Sequence, residues 1–309
     1  MKLTAMGTRG SIPAPSRRYP EEFMTLEFGG NTTCYVVETA DKRKHVIDGG
    51  SGLREYGMAL NGEGDVINLY FTHTHWDHIQ GVPFFRAAYN PKYFIDVYGE
   101  AKVEGELVKA IMDSDAKRIA DSLKVLQVEG NGIRDVLNVQ QNFRNFPAPL
   151  SLLKGIRKFY DFIPGGRIYE DDCTVVETAR INHPGGCVSY KFREKSGKVV
   201  VIATDFEPDC GVEDEQLVSW LAGADVVVAD AQYEAGSVVN PFIKGWGHSD
   251  FKSNVELTCR AGVKRLILTH HEPRMNDAYH ASLEERAKGY ALAHGINAEL
   301  AREGATYEI

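Results

Sequence analysis

Apolar residues along the chain fall in short runs of four to six, separated by Gly, Asn, Asp and Pro, and very few of the runs show helical spacing. Runs of that length, rich in Val, Ile and Tyr, predict buried strands. In the first half they lie near 2–6, 34–39, 44–48, 66–71 and 94–98, with a helix expected at about 78–89. In the second half they lie near 174–181, 187–193, 199–203, 225–229 and 265–269, with a terminal pair near 297–308. Helices fit 213–222, 250–261 and 282–294, where apolar residues are spaced three and four apart behind an acidic or hydroxyl residue. Gly29-Gly30-Asn31-Thr32-Thr33 reads as a turn into the strand that starts at Cys34.

The stretch from about 101 to 165 is harder to read. Residues 101–128 carry Leu107, Ile111, Ile119 and Leu123 at helical spacing, a stripe that core packing explains. Residues 130–165 mix Asn and Pro with Phe143, Phe146, Phe159, Tyr160 and Phe162, which fits either a lid or a dimer contact. No Pro, Gly and Ser linker divides the chain, so 1–309 is expected to be a single domain with a possible helical or lid insertion at about 101–165.

Composition changes this picture little. With 43% hydrophobic and 25% charged residues the chain can bury an ordinary globular core. No apolar stretch reaches membrane-spanning length, and the start lacks the long apolar region of a signal peptide. Five scattered cysteines with no CxxC pair suit reduced thiols, and so a cytoplasmic location is expected. The net charge of −8 predicts repulsion of a long polyanion. A small anionic substrate is therefore expected and a long nucleic acid is an unlikely partner.

The chemistry begins at His73-Thr74-His75-Trp76-Asp77-His78, directly after Val66-Ile67-Asn68-Leu69-Tyr70-Phe71. Imidazole and carboxylate donors without a thiolate suit zinc, manganese or iron. Six residues cannot close a metal shell, so further ligands should stand at other strand ends. Val175–Ile181 leads to His183, Val199–Thr204 to Asp205, and Leu266–Thr269 to His270. Ligands at the carboxyl ends of neighbouring strands converge on one rim of a sheet. Five histidines and two aspartates suffice for two divalent ions, most simply zinc, with one carboxylate shared.

In its HxHxDH segment and the later His, Asp and His, in that order over nearly the whole chain, the sequence resembles the metallo-β-lactamase superfamily. The resemblance implies an α/β fold, the four-layered αβ/βα sandwich of that type. It implies His73, His75 and His183 at a first metal, Asp77, His78 and His270 at a second, and Asp205 between them. Asp48, in Val46-Ile47-Asp48-Gly49-Gly50, matches the family's early aspartate, which supports a ligand histidine. His270 is preferred over its neighbour His271 for the same reason. His45, His280 and His294 lack supporting context and are expected to be solvated.

Two metals can activate water and polarise an ester oxygen in phosphodiesters, lactones, thioesters or β-lactams alike. The discriminating segment is Gly245-Trp246-Gly247-His248-Ser249, which resembles the general-acid loop of ribonuclease Z and related cyclic phosphodiesterases. A histidine can carry a proton to a poor leaving group near neutrality. His248 is thus expected to be catalytic together with Asp77, and Asp230 to orient His248. The chain lacks the Glu that flavodiiron proteins carry at Thr74, and it shows no glycine-rich basic arm between Glu100 and Gly166. The expected activity is hydrolysis of small phosphodiesters such as cyclic nucleotides or cyclic sugar phosphates. A lactone or thioester hydrolase is the alternative, and a non-catalytic metal-bound nucleotide sensor is another. The Gly7-Thr8-Arg9-Gly10-Ser11 loop and Asn31-Thr32 are candidate phosphate contacts, with Ser11, Asn31 and Thr32 as the named substrate-binding residues and Arg9 as a further guess. Relatives of this type commonly form homodimers.

Overall fold

The computed structural model describes residues 1–14, 24–101, 132–209, 211–234, 236 and 242–309. Two seven-stranded sheets dominate it. The first runs β14 (Thr306–Glu308), β1 (Lys2–Gly7), β2 (Cys34–Glu38), β3 (Lys44–Ile47), β4 (Val66–Tyr70), β5 (Phe94–Glu100), β6 (Ile156–Phe162). The second runs β13 (Asn297–Leu300), β12 (Arg265–Thr269), β11 (Val226–Asp230), β10 (Val199–Ala203), β9 (Cys187–Glu194), β8 (Thr174–Ile181), β7 (Arg167–Glu170). β3 to β6 are parallel to one another, and so are β10 to β13.

The continuous apolar runs exist because both faces of each sheet are covered. In β10, Val200 and Ile202 point between the sheets, where they meet Tyr35, Ile47, Tyr70 and Tyr190. Val199 and Val201 point the other way, toward Leu217 and Leu221 of α5 (Val212–Leu221) and Val255 and Leu257 of α6 (Phe251–Arg260). Leu283 and Ala287 of α7 (Asp277–Ala293) complete that layer. On the outer face of the first sheet, Leu53 of α1 (Gly52–Ala59) and Leu137 of α4 (Ile133–Gln140) cover Val46, Ile67 and Val97. Each such fully buried aliphatic side chain contributes roughly 1.5–3 kcal/mol. The layers are therefore α, β, β, α, as expected.

Several expectations need correction. The helix predicted over 78–89 is broken into α2 (Trp76–Ile79), a 3-10 turn at Val82–Phe84 and α3 (Arg86–Tyr89), because Pro83 cannot donate to a continuing helix. The strands near 297–308 do not pair with each other: β13 joins β12 and β14 joins β1 in the opposite sheet. Helix α7 starts at Asp277, earlier than predicted, with the Asn276 side chain accepting the Tyr279 N–H at 2.9 Å. Within 132–165, Ile133–Gln140 form α4 and Ile156–Phe162 form β6, a strand not expected from the sequence that extends the first sheet with Phe159 opposite Val97 and Tyr160 opposite Tyr98. The helix predicted over 101–128 lies outside the described residues except for Ala101. Among the described residues no helix is long and apolar enough to cross a membrane.

Candidate metal centre

The strands deliver their polar residues to one rim. Asp48 follows β3, Thr72 and His73 follow β4, His183 follows β8, Asp205 follows β10, and His270 follows β12. Three of these residues adopt left-handed backbone: Asp48 at φ +66°, Asp205 at +56° and His270 at +60°. Such backbone costs on the order of 1–3 kcal/mol per residue and persists only where the surroundings enforce it. Gly10 is required beside His270, because a Cβ there would stand 2.4 Å from the imidazole.

The side chains form two adjoining clusters. His73, His75 and His183 place ring nitrogens within 4.8 Å of one another, as do Asp77, His78, Asp205 and His270 with their ligand atoms. In the first cluster His183 Nε2 is 3.1 Å from His75 Nδ1. In the second, Asp205 Oδ2 lies 3.2 Å from His78 Nε2 and 3.3 Å from His270 Nε2. The same oxygen is 3.7 Å from His73 Nε2, so Asp205 stands between the clusters. Asp77 Oδ2 is 3.4 Å from His78 Nε2 and 3.2 Å from His270 Nε2, and it accepts the Ser11 backbone N–H at 2.8 Å.

Three of the rings, His78, His270 and His183, are also held from the far side. His78 Nδ1 is 2.8 Å from Asp48 Oδ2, and Asp48 also accepts the Thr72 N–H and hydroxyl. His270 Nδ1 meets Gln232 Oε1 at 2.9 Å, and His183 Nδ1 meets the Gly247 carbonyl at 2.8 Å. With Nδ1 donating to these acceptors, Nε2 of each ring faces the cluster as a lone-pair donor, the arrangement a metal ligand needs.

The electrostatics differ between the clusters. Burial pushes the His73, His75 and His183 imidazoles below the usual histidine range, so the first cluster favours neutral rings. In the second cluster burial opposes charge, but the ion partners outweigh it. His78 and His270 hold Asp77 and Asp205 below the usual carboxylate range. In return, Asp205 and Asp77 push His270 up to about 9. These carboxylates demand positive charge nearby, which protons or divalent cations can supply. His73 Nε2, His78 Nε2 and Asp205 Oδ1 are buried without a hydrogen-bond partner among the described residues. Converging N and O donors, no thiolate among them, and these unpartnered atoms fit a pair of divalent ions.

Beside the clusters, His248 Nδ1 lies 2.7 Å from Asp230 Oδ2, and Asp230 Oδ1 accepts the Gln232 and Ser249 N–H groups. The His248 ring stacks on His270 with centroids 4.8 Å apart. Asp230 and His248 also group with Asp205 and His270 as possible ligands, with all four ligand atoms within 4.8 Å. Asp230 has given its carboxylate to His248 and backbone N–H groups, which argues against a third ion there.

Other expected residues stand elsewhere. Arg9 is fully buried, and its guanidinium donates to the carbonyls of Gly29, Glu272 and Met275, so it braces the loop rather than meeting a substrate. Asn31 is bound to Glu303 and Ser51, and the Thr32 hydroxyl accepts from Ser51 N–H and Gln80. Their polar groups are used inside the turn, which corrects their reading as phosphate contacts. Ser11 is exposed beside Asp77 and reaches it through its backbone N–H. His45 and His280 are buried, not solvated: His45 Nδ1 is 3.1 Å from Tyr70 Oη and His280 Nδ1 donates to Asn276 O at 2.8 Å. His271 is also buried and bonds Ala301 O, facing away from the cluster. Of the three histidines expected to be solvated, His294 is partly open to solvent. The sequence reading missed Thr72 and Gln232. Gln232 was findable as the polar residue two positions past Asp230 at the end of a strand.

Residues 59–271 match the family described as the beta-lactamase superfamily domain. Ribonuclease Z of Picrophilus torridus is 23% identical over 296 residues, covering 89% of this chain and 87% of the relative. The metallo-beta-lactamase fold protein YhfI of Bacillus subtilis superposes with a TM-score of 0.65 at 17% identity, covering 100% of this chain and 99% of that one. The short form of human tRNase Z superposes at 0.62 with 17% identity, covering 100% and 99%. Relatives named as ribonucleases overturn the expectation that a long nucleic acid is an unlikely partner. The inference failed because it used the net charge of the whole chain, whereas polyanion affinity follows the local field at a cleft. The fold is one built around divalent metal ions. The chain belongs to the beta-lactamase superfamily, in its metallo-β-lactamase form, and is a metal-dependent hydrolase.

Proposed function

We propose that this chain is a dinuclear phosphodiesterase that hydrolyses RNA. The observation that carries this reading is the Asp230–His248 pair, 2.7 Å apart and stacked against His270 beside both clusters. A phosphodiester expels a poor alkoxide, so a histidine held by a carboxylate at that point has a proton to deliver where it is needed. The share of this chain covered by the ribonuclease relatives adds support. So do Trp76 and Trp246, 61% and 60% exposed and next in sequence to His75 and Gly247, which offer faces for base stacking.

His73, His75 and His183 would hold one ion and Asp77, His78 and His270 the other, with the Asp205 carboxylate placed between the two clusters. Two divalent ions bound there, zinc by the donor set with manganese or iron as the other fits, would supply Lewis acidity and positive charge for phosphodiester hydrolysis. Asp48 fixes the His78 ring and Gln232 fixes the His270 ring. Asp77, whose carboxylate also accepts the Ser11 backbone N–H at 2.8 Å, would orient the attacking water. His248 protonates the departing ribose oxygen while Asp230 holds its ring from behind. The two sheets share one core, which supports reading 1–309 as one domain. Free thiols at Cys34, Cys173, Cys187 and Cys259 suit the cytoplasm.

The test is incubation of end-labelled structured RNA with protein carrying two ions per chain, beside His183→Ala and chelator controls. Cleavage lost in both controls supports the reading. Intact RNA, with turnover of a lactone or thioester by the same preparation, would overturn it.

A further inference from the structure

We infer that Glu207 is a positioning residue that clamps the loop carrying His248, an inference that rests on the acid role proposed above for that histidine. Glu207 stands two residues beyond Asp205, on the far side of Phe206, which is buried in the outer core of the second sheet. The residue is 9% exposed, and its carboxylate is committed to backbone donors of one loop. The Gly245 N–H lies 2.9 Å from both carboxylate oxygens, and the Gly247 N–H lies 2.9 Å from Oε2.

Those two glycines bracket exposed Trp246, at φ +84° and +87°, conformations that let both N–H groups face one acceptor. Gly247 then does two further things. Its carbonyl accepts from His183 Nδ1 at 2.8 Å, and it is followed directly by His248. No side chain is tolerated there, since a Cβ on Gly247 would lie 2.2 Å from His183 Nδ1. Glu207 is itself tied to the turn that carries His183, through its N–H to Asn182 O at 2.9 Å and from Asn182 Nδ2 to its own carbonyl at 2.8 Å. One residue thus joins three segments: it follows Asp205 by two positions, its backbone is bonded to the turn bearing His183, and its carboxylate holds the loop bearing His248. A cavity of about 290 Å³ opens beside Glu207, but with both oxygens on loop amides the side chain serves the loop rather than a ligand in that space.

The test compares wild type, Glu207→Ala, Glu207→Gln, His248→Ala and the Glu207→Ala/His248→Ala double variant, all full-length and carrying two ions per chain. Amide hydrogen exchange reads the clamp directly. Glu207→Ala should speed exchange at Gly245 and Gly247 by roughly tenfold or more, the loss of a charge-assisted hydrogen bond. Glu207→Gln, which keeps one acceptor oxygen, should fall between and carries the test if the alanine variant does not fold. In kinetics, Glu207→Ala should lower kcat on RNA with KM little moved. The same change made on top of His248→Ala should cost less than about twofold more, because its effect passes through that ring. Unchanged exchange at both glycines in a folded variant, or an undiminished kcat loss without His248, overturns the inference. If His248→Ala loses equally on RNA and on bis(p-nitrophenyl) phosphate, the acid role falls, and the exchange rates still decide the clamp.

Discussion

Two sets of histidines are buried in this protein, and only one belongs to the candidate metal centre. His73, His78, His183 and His270 sit at the strand-end rim, whereas His45, His271 and His280 sit among core residues such as Tyr70 and Phe28. Burial does not distinguish them. Neither does an unpartnered ring nitrogen, since His45 and His280 leave Nε2 without a partner just as His73 and His78 do. What differs is convergence. The rim histidines point several donor atoms and two carboxylates at common points, while each interior ring meets aromatics and a single oxygen. The charge states follow: burial drives His45 down to about 3 and His280 to about 4, while Asp205 and Asp77 overcome burial and raise His270 to about 9. A metal site is therefore marked by several donors competing for one point.

The comparison breaks most decisively at Asp205, which faces both clusters. Asp205→Ala should lose at least one of two ions per chain by elemental analysis and bring RNA cleavage below detection; full metal content in the variant would remove its place between the ions. Next in size is His248→Ala, expected to lower kcat about 10²–10⁴-fold on RNA. The loss should be far smaller on bis(p-nitrophenyl) phosphate, whose leaving group needs no proton, and equal losses would end the acid assignment. Smaller again, Asp48→Ala should weaken metal binding about 10–100-fold by freeing the His78 ring, measured by competition with a chelator. An unchanged affinity would show that the ring is held without it.

The interior set supplies the smallest effect on activity and a pH signature of its own. His45 is neutral in the fold, with its pKa depressed by burial to about 3 from an ordinary 6.5. A group that folds uncharged stabilises fully above its unfolded pKa and loses that contribution as pH falls. Stability should thus drop between about pH 6.5 and 3, by an amount on the order of a few kcal/mol per such histidine. His45→Gln should flatten part of that drop in denaturant melts while metal content and turnover stay at wild-type values. Loss of metal in His45→Gln would merge the two sets and undo the comparison.

Much of the candidate site was legible because it is local or grammatical. His73 to His78 is contiguous, and His183, Asp205 and His270 each end an apolar run that could only be a covered strand. The misses follow from the opposite condition. β6 and β7 are edge strands whose exposed faces carry Arg, Lys and Asp, so no apolar run betrays them. His45 and His280 sit in polar sequence surroundings and become buried only when Phe192 and Phe28 from distant positions pack on them. Asn31, Thr32 and Arg9 looked free to meet an anion because their partners, Glu303, Ser51, Glu272 and Met275, are remote in the chain. Glu207 gave no sequence signal, since its partners are the amides of a loop nearly forty residues away, 38 positions on at Gly245.

The sequence by itself determined the alternation of covered strands and helices, the donor types available for cations, and the order in which they arrive. Those depend on side-chain chemistry and on periodicities that act over a few residues. Only the tertiary structure decided which histidines share a point and which are merely buried, and which polar groups are left over once internal bonds are made. Convergence and satisfaction are relations between segments far apart in the chain, and they exist only after the two sheets have packed face to face.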